Sequence, residues 1–119
     1  MVEIVLPVLI ALLVTVMVFQ VALAAGAPWG EFAFGGQNKG VLPARLRVTS
    51  AISVVIYLLL ITHYLSDWPG KEVANWVLVG FTGLGLVMNT ITRSSKELKV
   101  WAPTSLVLFV CSLIVAIGY

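Results

Sequence analysis

Four long apolar runs, separated by short polar segments, organise this chain. They extend from about Ile4 to Ala25, Val48 to Tyr64, Val73 to Ile91 and Val100 to Ile117. Crossing hydrocarbon as a helix takes about 20 mostly apolar residues. The shortest runs approach that length, and polar residues flank each one. The pattern predicts an all-α membrane protein: a single transmembrane domain over residues 1–119, folded as a four-transmembrane-helix bundle with a long, partly ordered first cytoplasmic loop.

Lipid tails are as apolar as leucine, so small residues and interhelical hydrogen bonds must hold such helices together. Each run accordingly carries a small or polar stripe at helical spacing. In the third, Asn75, Thr82 and Asn89 recur every seven residues, with Gly85 and Thr92 on the same face and Gly80 and Gly83 offering a second surface for close approach. The fourth places Ser105 and Ser112 together, the second Ser50, Ser53 and Tyr57, and the first Pro7, Ala11, Thr15 and Ala22. All four stripes are expected to face inward. They read either as close packing with a few hydrogen bonds or as a polar pathway along Asn75, Thr82 and Asn89. A faint echo between Leu46-Arg47-Val48 and Leu98-Lys99-Val100 sits where two helical hairpins would correspond.

Composition agrees with the pattern: 61% of residues are hydrophobic and 10% charged, against roughly 25% charged in soluble domains. The charges also give an orientation. Lys39, Arg45 and Arg47 flank or lie in the first connection, Arg93, Lys96 and Lys99 in the third, and Lys71 alone in the second. Basic residues favour the cytoplasmic side, so both termini and the Ser66–Glu72 connection are expected outside. No basic run interleaved with aromatics points to nucleic acid. The first run is expected to be retained rather than cleaved as a signal, because Met1-Val2-Glu3 is acidic where a signal peptide is basic. Tyr64, Trp68, Trp76 and Tyr119 fall near the outer interface and Trp29, Phe32, Phe34 and Trp101 near the inner one, depths that amphipathic rings favour.

The first connection, Gly26 to Arg45, is rich in glycine, proline and aromatics. Trp29, Phe32 and Phe34 are too apolar for a freely solvated loop, so the segment is expected to fold against the bundle. Its spacing is not that of a phosphate-binding loop. Gln20 and Asn89, with Thr49, Ser50 and Ser105 at similar depth, should form a polar cluster above it. Arg45, Arg47 and Arg93 should frame that pocket, Trp29 and Glu31 should cap it, and Glu31 should pair with one of the arginines. The candidate ligand or partner contacts are therefore Gln20, Trp29, Glu31, Arg45, Arg47, Asn89 and Arg93.

Reactive chemistry is sparse. No ionisable residue lies deep in a predicted span, where proton relays and ion pathways place theirs, so proton-coupled antiport of the small multidrug type is disfavoured. His63, the only histidine, sits at an interface and cannot alone supply a metal or haem ligand set. Cys111 reads as a small packing residue. No catalytic constellation, metal site or cofactor is expected. The run Gly26-Ala27-Pro28-Trp29-Gly30, then Gly35-Gly36, Leu42-Pro43, Arg45 and Arg47, Met88-Asn89, Arg93-Ser94, Glu97, Trp101 and Pro103, resembles short, uncharacterised bacterial membrane proteins. The resemblance covers most of the chain after the first run. It implies a four-helix bacterial inner-membrane protein and supplies no activity or substrate. The leading functional expectation is a non-enzymatic accessory or self-associating bundle whose cytoplasmic loop contacts a membrane protein partner or lipid. The alternative is a transporter or channel for a small neutral or weakly charged solute.

Overall fold

A computed structural model describes residues 1–33, 38–91 and 95–119. Among them the chain is entirely helical: α1 Val2–Ala25, a short 3₁₀ turn Gly30–Phe32, α2 Ala44–Leu65, α3 Lys71–Thr90 and α4 Ser95–Gly118. All four α-helices are long and apolar enough to cross a membrane. All four start before their apolar runs, α2 and α4 by a full turn or more. α2 begins at Ala44, directly after Pro43 in an extended N-cap conformation, and α4 begins at Ser95 and carries Lys96, Glu97 and Lys99 in its opening turns. Lys, Arg, Glu and Leu are good helix formers, so each helix continues through a polar turn that hydropathy excludes from the span.

α1 stops at Gly26, whose φ of 102° is left-handed and which Ala27 follows with a backbone bond to the Ala22 carbonyl (2.9 Å). Glycine adopts that conformation without the Cβ clash other residues meet. The Arg47 Nε of α2 then donates to the orphan Ala24 carbonyl (3.1 Å). One helix end is thus capped by the start of the next.

The helices pack as two hairpins, α1 with α2 and α3 with α4, joined where α1 meets α4. Around the molecule the order is α2, α1, α4, α3. Leu9, Leu13 and Val16 of α1, Ile61 and Tyr64 of α2, and Leu108, Cys111 and Val115 of α4 form the core. Val2 lies against Gly118, so both termini occupy one end, called here the terminal end. The first and third connections occupy the other, the loop end.

One inward-facing stripe is corrected. In α1, Pro7, Ala11 and Thr15 are exposed, and Thr15 Oγ1 donates back to the Ala11 carbonyl (2.8 Å). Leu9, Leu13, Val16 and Leu23 face inward instead. α1 sits centrally between α2 and α4, and the space it must fill there takes leucines rather than small residues.

α3 is held differently from the other three. Asn75 is its only buried residue. Thr82 Oγ1 meets Ser112 Oγ of α4 (2.7 Å), and Asn89 Nδ2 donates to Ser105 Oγ (2.5 Å). Gly83 lies against the Phe109 ring of α4, whereas Gly80 faces open space. Asn75 turns the other way, its Oδ1 2.8 Å from His63 Nε2 of α2. The polar stripe of α3 therefore works as two seams, one to each neighbouring hairpin element.

Candidate functional site

Because α2 and α3 are the outer members of the arc, they do not pack along their lengths, and a cleft of about 230 Å³ remains between them. Leu9 and Leu13 of α1 and Leu108 of α4 form part of its lining, and Tyr57, Leu60 and Tyr64 belong to its α2 side. Leu78, Phe81, Leu84 and Met88 are among the α3 residues that complete it. Phe81, Leu84 and Met88 are exposed, so the cleft opens sideways, toward the lipid a spanning helix would face. Its polar residues are few: Tyr57, Tyr64, Thr82, and Asn89 with Ser105.

Toward the loop end the cleft abuts a second chamber of about 190 Å³, the two sharing Tyr57, Asn89, Ser105 and Leu108. This chamber is more polar, with Gln20, Glu97 and Thr104 in its lining beside Phe19, Phe32 and Trp101. The Gln20 Oε1 is buried with no hydrogen-bond partner among the described residues. The aromatics at its edge are interlocked. Phe19 stacks parallel to Trp29 at 6.2 Å and meets Trp101 at 4.7 Å. Trp101 Nε1 donates to the Phe32 carbonyl (2.8 Å). Lys96 Nζ reaches Glu31 Oε1 at 2.6 Å and lies over the Phe32 ring. Both side chains of that ion pair retain solvent access, so it contributes about 0–1 kcal/mol and serves mainly to position the turn.

Before the second helix the chain crosses itself at Gly30. Its backbone N–H donates to the Gly40 carbonyl (2.8 Å), and a Cβ at Gly30 would collide with the Asn38 carbonyl oxygen. Leu23, Ala33 and Leu42 form a small core beneath this crossing.

Gln20 and Asn89 of the expected polar pocket do come together, and Ser105 joins them. Ser50 is buried without a hydrogen-bond partner among the described residues, and Thr49 is exposed and bonded to the Arg45 carbonyl; neither lines the chamber. Nor do the two described arginines. Arg45 is exposed, and Arg47 turns to the end of α1. Phe34, Gly35, Gly36, Thr92 and Arg93 lie outside the described residues. Trp29 stacks on Phe19 and does not line the chamber; Lys96 is a partner of Glu31, and the expected contact between Glu31 and Arg93 lies outside the described residues. Sequence reasoning missed Glu97, which is buried and lines the chamber. Its signal was weak, a carboxylate inside a basic segment, one helical turn before Trp101. Tyr57, expected on an inward stripe, lines the cleft, as does Tyr64, which was expected only as an interface anchor.

At the terminal end a second polar group forms around His63. Trp68 Nε1 donates to His63 Nδ1 (3.0 Å), which leaves Nε2 to carry the proton given to Asn75 Oδ1. The remaining connection is tied down by Lys71, whose Nζ reaches the Ser66 carbonyl at 2.5 Å and lies over the Tyr119 ring. The Tyr119 hydroxyl donates to Asp67 Oδ1 (3.2 Å). Partial desolvation, that hydrogen bond and the negative charges of Asp67 and Glu72 all raise the phenol above its ordinary range.

No protein-family model, curated protein or solved structure matches this chain. Its function therefore has to be read from its own geometry.

Proposed function

We propose that this chain is a non-enzymatic membrane component that acts by holding a lipid or a membrane protein partner against its open α2–α3 side. The observation that carries the reading is the sideways cleft. Three helices share a core, whereas α3 buries one residue and joins α4 along a hairpin seam that includes two side-chain hydrogen bonds. Such an arrangement leaves apolar surface from both hairpins available within the bilayer. The transporter alternative is weakened, because Thr82 and Asn89 are engaged by serines of α4 rather than left to line a wet path.

The setting proposed is a bacterial inner membrane, on the strength of the sequence resemblance. Both termini lie outside, on the strength of six basic residues about the first and third connections against one in the second. An ordered cytoplasmic face at the first connection belongs to the same proposal, supported by the turn Gly30–Phe32 and the Trp101 bond to the Phe32 carbonyl. Nothing in this reading calls on nucleic acid or a cofactor. Purification in mild detergent, with native mass measurement of the intact particle, tests it. Retained lipid, a second copy or a partner protein is expected, and a bare monomer under every mild condition would overturn it. Cysteine labelling of the Ser66–Glu72 connection from outside the cell tests the orientation; labelling only after membrane rupture would reverse it.

A further inference from the structure

One imidazole at the terminal end ties three parts of the chain together. His63 belongs to α2, its Nε2 lies 2.8 Å from Oδ1 of Asn75 in α3, and its Nδ1 accepts from the Trp68 indole of the connection (3.0 Å). The indole has a fitted seat. It stands edge-on to the imidazole, with ring centroids 5.8 Å apart and planes at 78°. It also lies against Gly70, where an added Cβ would collide with the six-membered part of the indole. The two hydrogen bonds make different demands on the imidazole. Nε2 donates to Asn75 whether the ring is neutral or charged. Nδ1 accepts only while it carries no proton of its own, and an indole N–H can only donate. A second proton on the ring therefore sets two donors against each other at Nδ1 and leaves the Asn75 bond intact.

We propose that His63 is an acid-operated latch: its protonation expels Trp68 from this seat and frees the connection between α2 and α3, while Asn75 keeps α3 attached. The latch is independent of what occupies the open α2–α3 side. Its sign follows from the proton count. The Trp68 bond belongs to the neutral ring, so it is complete at alkaline pH and is lost as pH falls through the interval of about 8 to 5 in which histidine changes charge. The other titratable groups of this end come from every neighbouring element. Tyr64 sets its ring edge against the imidazole at 4.9 Å. Asp67 lies in the connection, Lys71 and Glu72 open α3, Tyr119 follows α4, and the Met1 amino group pairs with Glu3 of α1. Asp67 accepts from the Tyr119 hydroxyl and Lys71 reaches the Ser66 carbonyl. The imidazole, which alone bonds the indole among the described contacts, is therefore the group that acts on it.

The test uses the full chain in nanodiscs with isotope-labelled indole nitrogens, followed by NMR from about pH 8 to about pH 5. Trp29, Trp76 and Trp101 are internal controls, Trp101 being bonded to the Phe32 carbonyl. On acidification the Trp68 N–H should lose its hydrogen-bonded shift and the controls should keep theirs. One proton is taken up, so below the midpoint the bonded population should fall about tenfold per pH unit. Backbone hydrogen exchange should rise in residues 66–70 and stay unchanged along α3. Two variants separate the ring from its surroundings. His63→Asn cannot titrate and should abolish the pH response of Trp68. Gly70, at φ −89°, takes an alanine without backbone strain, and Gly70→Ala should show the released indole already at about pH 8, because the new methyl group occupies its seat. A Trp68 bond retained at about pH 5 in the unsubstituted chain overturns the latch. So does a response that survives in His63→Asn, which would assign it to another group, or a Trp68 that stays bonded in Gly70→Ala. Exchange rising along α3 together with the connection would show the whole network opening and would equally overturn it.

Discussion

The two side-chain hydrogen bonds that join α3 to α4 should differ in strength, and the difference follows from a count of protons. Thr82 and Ser112 have one hydroxyl proton each. Besides each other, they face the Leu78 and Val79 carbonyls (2.9 and 3.1 Å from Thr82 Oγ1) and the Phe109 carbonyl (2.9 Å from Ser112 Oγ). When one hydroxyl is removed, the other donates to a carbonyl of its own helix. The pair should therefore couple by no more than the average of about 0.6 kcal/mol found for interhelical hydrogen bonds in membranes. Asn89 Nδ2 donates only to Ser105 Oγ among the described contacts, at a serine that is 7% exposed. With Ser105 gone, that amide proton is stranded, and the coupling should approach the upper value of about 1.7 kcal/mol. Double-mutant cycles separate the two terms. The cycles are Thr82→Val with Ser112→Ala and Asn89→Leu with Ser105→Ala, each read as an unfolding equilibrium in mixed micelles titrated with a denaturing detergent. The expected couplings correspond to about threefold and about twentyfold in the equilibrium constant. A Thr82–Ser112 coupling equal to or larger than that of Asn89–Ser105 would refute the reasoning, as would zero coupling at both.

Three further outcomes are expected. The nitrogen NMR spectrum of His63 should show the neutral Nε2–H tautomer, and Trp68→Phe should remove the hydrogen-bond signature from Nδ1; an Nδ1–H tautomer would contradict the network. Gly30→Ala should destabilise the protein by about 1–3 kcal/mol, the range for forcing atoms into a packed site, because backbone carbonyls occupy the position of the new methyl group; thermal unfolding unchanged from the parent would show that the crossing can give way. The Tyr119–Asp67 tether involves a phenol whose folded pKa is raised, so its contribution is complete below about pH 10 and is lost as pH rises through the raised folded value. The ultraviolet titration of the parent minus that of Tyr119→Phe should isolate a phenol that ionises above the ordinary range, and one ionising below it would have the sign wrong.

How much of this was readable beforehand depends on the scale of the interaction. Four helices were legible because burying backbone in hydrocarbon is so costly that apolar length alone marks a span. The heptad Asn75, Thr82, Asn89 was legible as a special face of α3 because such residues are conspicuous in an apolar run. The polar openings of α2 and α4 were not, since a helix can outlast the hydrocarbon on either side.

Partner choice was another matter. Spacing put Asn75 in line with Thr82 and Asn89, yet Asn75 bonds to α2 and the other two to α4. Charge and side placed Arg47 at the polar pocket beside Glu31, whereas Arg47 caps α1 and Lys96 reaches Glu31. The small residues of α1 marked a face for close packing, and the fold turned them to the outside. A sequence fixes what each face offers, but lipid and protein interior are almost equally apolar, so composition alone does not tell which face a neighbour takes. That choice was made by the joint packing of four helices into the order α2, α1, α4, α3, which left Tyr64, Asn89 and Gly85, distant in the chain, around one cleft.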